Sequence, residues 1–162
     1  MIRAQRYSFH LTASTSLLLP EYKGSALRGG FGHAFKKFVC TFKGKPCDGC
    51  LLKHRCPYAY IFETLPPEHS TKMTKYLRAP HPFVIEPPPE TTTRYAFGDS
   101  LEFGLVLIGR ALEYLPYFVY AFEELGNMGI GKAKGLFRLA NVRRRNEVMY
   151  DGEKKILNSA KP

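Results

Sequence analysis

The chain has no cysteine outside residues 40–56, no run of 18 apolar residues and a shortage of acids. Each gap excludes something. Without a long apolar run there is no membrane-spanning helix. The N-terminus, MIRAQRYSFHLTAS, lacks the continuous apolar centre of a signal peptide, so a cytoplasmic location is expected. Four cysteines confined to one short stretch suit a local site in a reducing compartment better than a disulfide framework. Only 14 Asp and Glu oppose 24 Lys and Arg, leaving a net charge of +10. Such an excess favours an anionic partner, nucleic acid before an anionic membrane surface. The alternative is a basic protein that binds no polyanion.

What is present is enough for a packed core: 44% of the 162 residues are apolar, with 12 Phe and 10 Tyr. By length this is one domain, with room for the start of a second. Residues 2–12 alternate around Tyr7, Phe9 and Leu11 as a half-buried strand. From Gly24 to Val39, Leu27, Phe31, Ala34, Phe35 and Phe38 recur at helical spacing. AYIFETL (59–65) reads as a strand. Residues 65–98 hold seven of the twelve prolines and form a loop, except for a short edge strand in HPFVIEP (81–87). SLEFGLVLIG (100–109) is a strand. ALEYLPYFVYAFEELG (111–126) is a helix, with Pro116 near its first turn and Gly126 just past its end. A glycine-rich loop leads into the strand GLFRLANVRR, and EVMYDGEKK begins a hairpin. The order predicts an α+β fold, a ferredoxin-like (RRM-like) βαββαβ antiparallel sheet with both helices on one face. A cysteine-rich loop is inserted in it.

Three motifs carry chemistry. In LRGGFGHAFKK (27–37), a turn of 100° per residue puts the phenylalanines and Leu27 on one side and Gly29, His33, Lys36 and Lys37 on the other. Glycines inside a helix each cost about 1 kcal/mol against alanine, so they are expected to clear room beside His33 for a ligand or a backbone. The bland alternative is an exposed histidine on a basic face. Cys40, Cys47, Cys50 and Cys56 follow a C-x6-C-x2-C-x5-C spacing able to surround one tetrahedral zinc, with His54 as a spare ligand. An iron–sulfur cluster, or four cysteines with no metal, remain the alternatives. GNMGIGKAKGLFRL brings Gly126, Gly129, Gly131 and Gly135 together with Lys132, Lys134 and Arg138, a set suited to phosphates. It lacks the GK[ST] of a Walker loop and, lying between a helix and a strand, is no dinucleotide fingerprint. A flexible connection is the competing reading. Arg143, Arg144 and Arg145 extend the basic run.

Five segments, GSALRGGFGHAFKKFVC, CDGCLLKHRCPYAYIFET, PHPFVIEPP, GDSLEFGLVLIGRALEYLPYFVYAFEELG and GIGKAKGLFRL, occur in an order that resembles the N-terminal part of CRISPR precursor-RNA-processing endoribonucleases of the RAMP superfamily. The likeness implies a RAMP ferredoxin-like domain over residues 1–145. Within it lie a Pro-rich insertion (65–98) and the cysteine-rich metal loop (40–56), the metal reading resting on the cysteine spacing rather than on the likeness. Residues 146–162 then begin a second domain, as tandem members have, or form a tail. It implies CRISPR RNA, and other CRISPR-associated proteins, as partners. It also implies cleavage without a catalytic metal, by 2′-hydroxyl attack, leaving a 2′,3′-cyclic phosphate. The histidine such enzymes use in or near the first helix matches His33. Tyr22 and Lys37 are the nearest tyrosine and lysine. Arg28, Lys36, Gly129, Gly131, Lys132, Lys134, Gly135, Arg138, Arg143 and Arg144 are expected to meet the RNA. A non-catalytic RAMP subunit that grips guide RNA in an interference complex is the alternative.

The cysteine spacing gives the first testable outcome. Protein purified without chelator is expected to carry about one zinc per chain. Elemental analysis that finds no metal would refute this.

Overall fold

The computed structural model describes residues 2–40, 56–63 and 81–158. Ten residues of alternating burial form β1 (Ala4–Ala13), followed by the two-residue β2 (Leu17–Leu18) and α1 (Gly24–Val39). Next come β3 (Phe83–Glu86), β4 (Arg94–Tyr95) and β5 (Ser100–Ile108). A 3-10 turn (Gly109–Tyr114) leads into α2 (Leu115–Met128), and the chain continues through β6 (Phe137–Arg144), β7 (Glu147–Asp151) and β8 (Ile156–Leu157). One antiparallel sheet runs β3-β5-β1-β6-β7-β8, and β2 pairs with β4 in a second, two-stranded sheet. The chain is therefore α+β, an antiparallel sheet with helices, as its patterning predicts. Of residues 146–162, expected to begin a second domain or form a tail, Glu147–Asp151 and Ile156–Leu157 supply β7 and β8 at the edge of the same sheet.

Alternation decides which face of the sheet is covered. In β1 the side chains of Tyr7, Phe9, Leu11 and Ala13 are buried. Phe9 lies edge-on to Phe122 of α2 at 5.3 Å, and Phe31 of α1 lies edge-on to Phe83 of β3 at 5.7 Å. Both helices thus sit on this face. Phe31 stacks on Phe118 at 4.7 Å and on Phe122 at 5.1 Å, so the two helices meet through its ring. The opposite face carries Arg6, Ser8, His10 and Thr12 from β1, in register with Glu102 and Gly104 of β5 and with Arg138 and Arg143 of β6. There Arg6 Nε donates to Glu86 Oε1 at 2.7 Å, and His10 Nε2 stands 3.8 Å from Glu102 Oε1.

The structure corrects two local expectations. Ala59–Glu63 is a π-helical turn, not a strand. Winding brings Tyr58 and Phe62, four residues apart, into a 5.4 Å stack, which an extended chain would hold far apart. And α2 does not stop before Gly126. It continues to Met128, and Gly129, at φ 100°, ends it by donating its N–H to Leu125 O. Gly126 has a different job: a Cβ there would lie 2.2 Å from the carbonyl oxygen of Phe137, so only glycine lets α2 seat against β6.

Lys23, just before α1, is fully buried. Its Nζ donates to Glu21 O at 3.0 Å and to Glu90 O at 2.9 Å, with the Tyr95 ring 5.9 Å away. Tyr95 in turn donates its hydroxyl to Glu90 Oε1 at 3.1 Å. Burial first, and then this hydrogen bond, raise the Tyr95 pKa, so the phenol stays a donor. The start of α1 is thereby tied to β4.

The two kinds of glycine predict opposite outcomes in a melting experiment. Gly29→Ala meets open space and is expected to raise Tm by about 3 °C through helix propensity. Gly126→Ala must displace backbone and is expected to cost about 1–3 kcal/mol. Equal effects at both positions would contradict the packing described.

Candidate functional site

The three glycines of α1 divide by what faces them. A Cβ on Gly30 would lie 2.9 Å from Leu125 Cδ1, and one on Gly32 would lie 2.8 Å from the Phe62 ring. Those two positions serve packing, which corrects the expectation that all three clear space for a ligand. Gly29 has no protein atom within 4 Å of its would-be Cβ. Ala26, Gly29, Gly30 and His33 recur at helical spacing and form one wall of a cleft of about 350 Å³. The end of α2 supplies Leu125 and Met128, and the glycine-rich segment closes the cleft with Gly129, Ile130, Gly131 and Lys134.

That segment is a tight hairpin rather than a loose connection. Ile130 and Gly135 exchange both backbone hydrogen bonds, at 2.9 and 3.1 Å, and Lys134 N donates to Gly131 O at 3.2 Å. Its glycines are required by close neighbours. A Cβ on Gly131 would lie 2.3 Å from Leu18 O, one on Gly135 2.4 Å from Ser16 O, and one on Gly129 2.6 Å from Lys134 O. Gly129 and Gly131 also take φ values of 100° and 77°. Lys134 itself is left-handed at φ 51°, a conformation that costs a non-glycine residue about 1–2 kcal/mol. The hairpin bonds on either side hold it there, with its side chain exposed at the cleft.

The expected site residues therefore separate. His33, Gly129, Gly131 and Lys134 come together in one cleft. Lys37 is exposed one helical turn beyond His33 on the same face. Lys36 is half-buried with its Nζ 5.4 Å from the Tyr58 ring, and Arg28 lies over Phe83 at 5.7 Å. Both cations are occupied by aromatic faces away from the cleft lining. Tyr22 is 67% exposed before the start of α1, about 13 Å of helix axis from His33, and packs beside Gly24. Lys132 is exposed in the hairpin and Gly135 is its closing residue; neither lines the cleft. Arg138 and Arg143 project from the sheet face opposite the helices. Arg144 is paired with Glu147 at 2.9 Å. Cys40 and Cys56 are half-buried and form no disulfide among the described residues, and Cys47 and Cys50 lie outside those residues.

Sequence reasoning missed a second cleft, of about 460 Å³, on the other side of the hairpin. It is lined by Ser16, Leu17 and Leu18, by Arg94, Tyr95, Ala96 and Asp99, and by Ala133 of the hairpin tip. The β2–β4 pairing that builds it joins segments about 75 residues apart and leaves no periodic signal in so short a strand.

Among the described residues no helix is long and apolar enough to cross a membrane. The AF_1859_N family model, an N-terminal domain, matches residues 2–162. A protein of Archaeoglobus fulgidus described as uncharacterized is 26% identical over 137 residues, covering 83% of this chain and 45% of its own length. The chain thus spans less than half of that relative. Among solved structures, a chain in the Csm3-Csm4 subcomplex of the type III-A CRISPR-Cas interference complex superposes with a TM-score of 0.53 at 16% identity, covering 86% of this chain and 76% of that one. A Cas6 product complex covers 86% of this chain and 38% of that one, with a TM-score of 0.43 at 20% identity. The protein belongs to the AF_1859_N N-terminal-domain family, and it shares its fold with the chain of the Csm3-Csm4 subcomplex.

Proposed function

We propose that this chain is the RNA-gripping part of a CRISPR-associated RAMP protein, and that it processes precursor CRISPR RNA at the cleft between α1 and the glycine-rich hairpin. The observation that carries the reading is the meeting of His33 and Lys134 in that one cleft. They stand 101 residues apart in sequence, and Gly29, one helical turn before His33, leaves open space in the same lining. With the two-residue β2 and β4 set aside, the order β1, α1, β3, β5, α2, β6 supports reading the chain as a ferredoxin-like βαββαβ unit. The net charge of +10 supplies long-range attraction for a polyanion.

The chemistry needs a base, a cation and a ribose. A neutral His33 ring nitrogen takes the 2′-hydroxyl proton as O2′ bonds to phosphorus. The bond to the 5′ oxygen breaks, and that oxygen takes up a proton. The products are a 2′,3′-cyclic phosphate and a 5′-hydroxyl. Lys134, with Lys37 one turn along α1 from His33, offsets the negative charge that builds on the phosphate oxygens. DNA lacks the attacking group and would not be cut. Tyr22 does not line the cleft, and this reading assigns it no role. The four cysteines hold zinc as a structural ion in this reading.

A second reading, a non-catalytic subunit holding guide RNA, draws on the likeness to the Csm3-Csm4 chain. Labelled repeat RNA with chelator present separates the two. If the chain cuts, His33→Ala should leave affinity within about threefold and slow formation of cyclic ends by about 10²–10⁴-fold. Lys134→Ala should weaken binding and lower the slope of log K against log salt by about one. Binding without cleavage, here and in a chain extended to the relative's length, would favour the guide-RNA subunit. No affinity at low salt would overturn both.

A further inference from the structure

We infer that the cleft on the far side of the hairpin, together with the Phe97 ring beside it, is a nucleobase-stacking subsite for single-stranded RNA, with Phe97 as the platform and Arg94 in the cleft as the phosphate contact. The inference deepens the RNA-binding reading and rests on it. Its starting observation is the exposure of Phe97, which at 80% exceeds that of every other large apolar side chain described. Single surface aromatics are ordinary, but this one is carried on a hydrogen-bonded turn rather than a loose loop.

Its turn is fixed on both sides. Ala96 N donates to Asp99 Oδ2 at 2.8 Å, and Asp99 N to Ala96 O at 3.0 Å. Gly98 N donates to Ala13 O at 2.8 Å, Ala13 N donates to Asp99 O at 2.9 Å, and Gly98 takes φ 87°. The ring is thus held in water by a rigid turn anchored to β1. Ala96, just before it, and Asp99, two residues after it, line the cleft, and Phe97 stands beside that lining. Arg94, exposed and paired in register with the partly exposed Leu18, lines the same cleft. Below them Tyr95 is tied to Glu90, and Glu90 to the buried Lys23, so the cleft floor is held in place.

The position of the hairpin gives the cleft its meaning. Ala133 at the tip lines this cleft, while Gly131 and Lys134, on either side of it, line the cleft that contains His33. A strand crossing the tip would enter both. An aromatic face accepts any base, because every base has a π-face, and a nearby arginine takes the phosphate. Asp99, the one acid in the lining, already accepts the Ala96 N–H and keeps lone pairs for an exocyclic amine.

The test is fluorescence anisotropy with a labelled single-stranded RNA, set against the same RNA carrying one abasic site moved along its length. Phe97→Ala should weaken binding about tenfold with the salt slope unchanged. Phe97→Tyr should restore affinity to within about twofold, and Arg94→Gln should lower the salt slope by about one. At one abasic position the wild type should lose the same factor while Phe97→Ala loses nothing further. Wild-type affinity in Phe97→Ala, or losses that add at every abasic position, would overturn the subsite. If Lys134→Ala still weakens binding in that case, the RNA reading survives. A wild-type chain that binds no RNA removes both.

Discussion

Everything at the candidate site depends on where Phe31 must go. Its ring is fully buried and touches aromatic rings from both helices, from β3 and from the π-helical turn. Burying a phenylalanine is worth about 2–3 kcal/mol from area alone, and aromatic pairs add to that. α1 therefore has one rotation about its axis. Two residues further on, 200° around the helix, His33 can face only outward. The histidine is placed by the core residue beside it.

The second constraint is the close approach of backbones. Gly126 seats α2 on the carbonyl of Phe137, and Gly131 and Gly135 seat the hairpin on the carbonyls of Leu18 and Ser16. Together they bring the hairpin up to α1 and leave Lys134 at the cleft in its left-handed conformation. A segment that reads as flexible is rigid here, because its glycines answer to protein neighbours. Rigidity matters for the proposed chemistry, since a cation stabilises a developing charge best when its position is set beforehand.

Much of this was legible in the sequence, and the failures have physical causes. The period of 3.6 in GSALRGGFGHAFKKFV located α1 and the outward side of His33. The alternation in residues 100–108 located β5, and the α+β class followed from element order. The glycine-rich segment was correctly placed between a helix and a strand. What was not legible depended on contacts between distant segments. Gly30 and Gly32 look like clearance for a ligand until Leu125 and Phe62 are placed against them. Lys36 and Arg28 look free until Tyr58 and Phe83 lie beneath them. AYIFE is apolar and aromatic enough for a strand, yet stacking of Tyr58 on Phe62 favours a helical turn. Arg94, Tyr95 and Phe97 carried no periodic signal at all, lying at the end of a proline-rich stretch.

Basic side chains stand on both sides of the sheet, and that makes the path of the RNA the deciding question. The helix side offers His33, Lys37 and Lys134, whereas the opposite face offers Arg138 and Arg143 among Glu86 and Glu102. One strand cannot lie in the cleft and on that opposite face at the same point. Photocrosslinking of RNA carrying a reactive uridine, with the modified peptides identified by mass spectrometry, reads the path directly. The account predicts crosslinks within residues 26–37 and 129–136. Crosslinks confined to the outer-face residues of β1, β5 and β6, with none in those two segments, would contradict it.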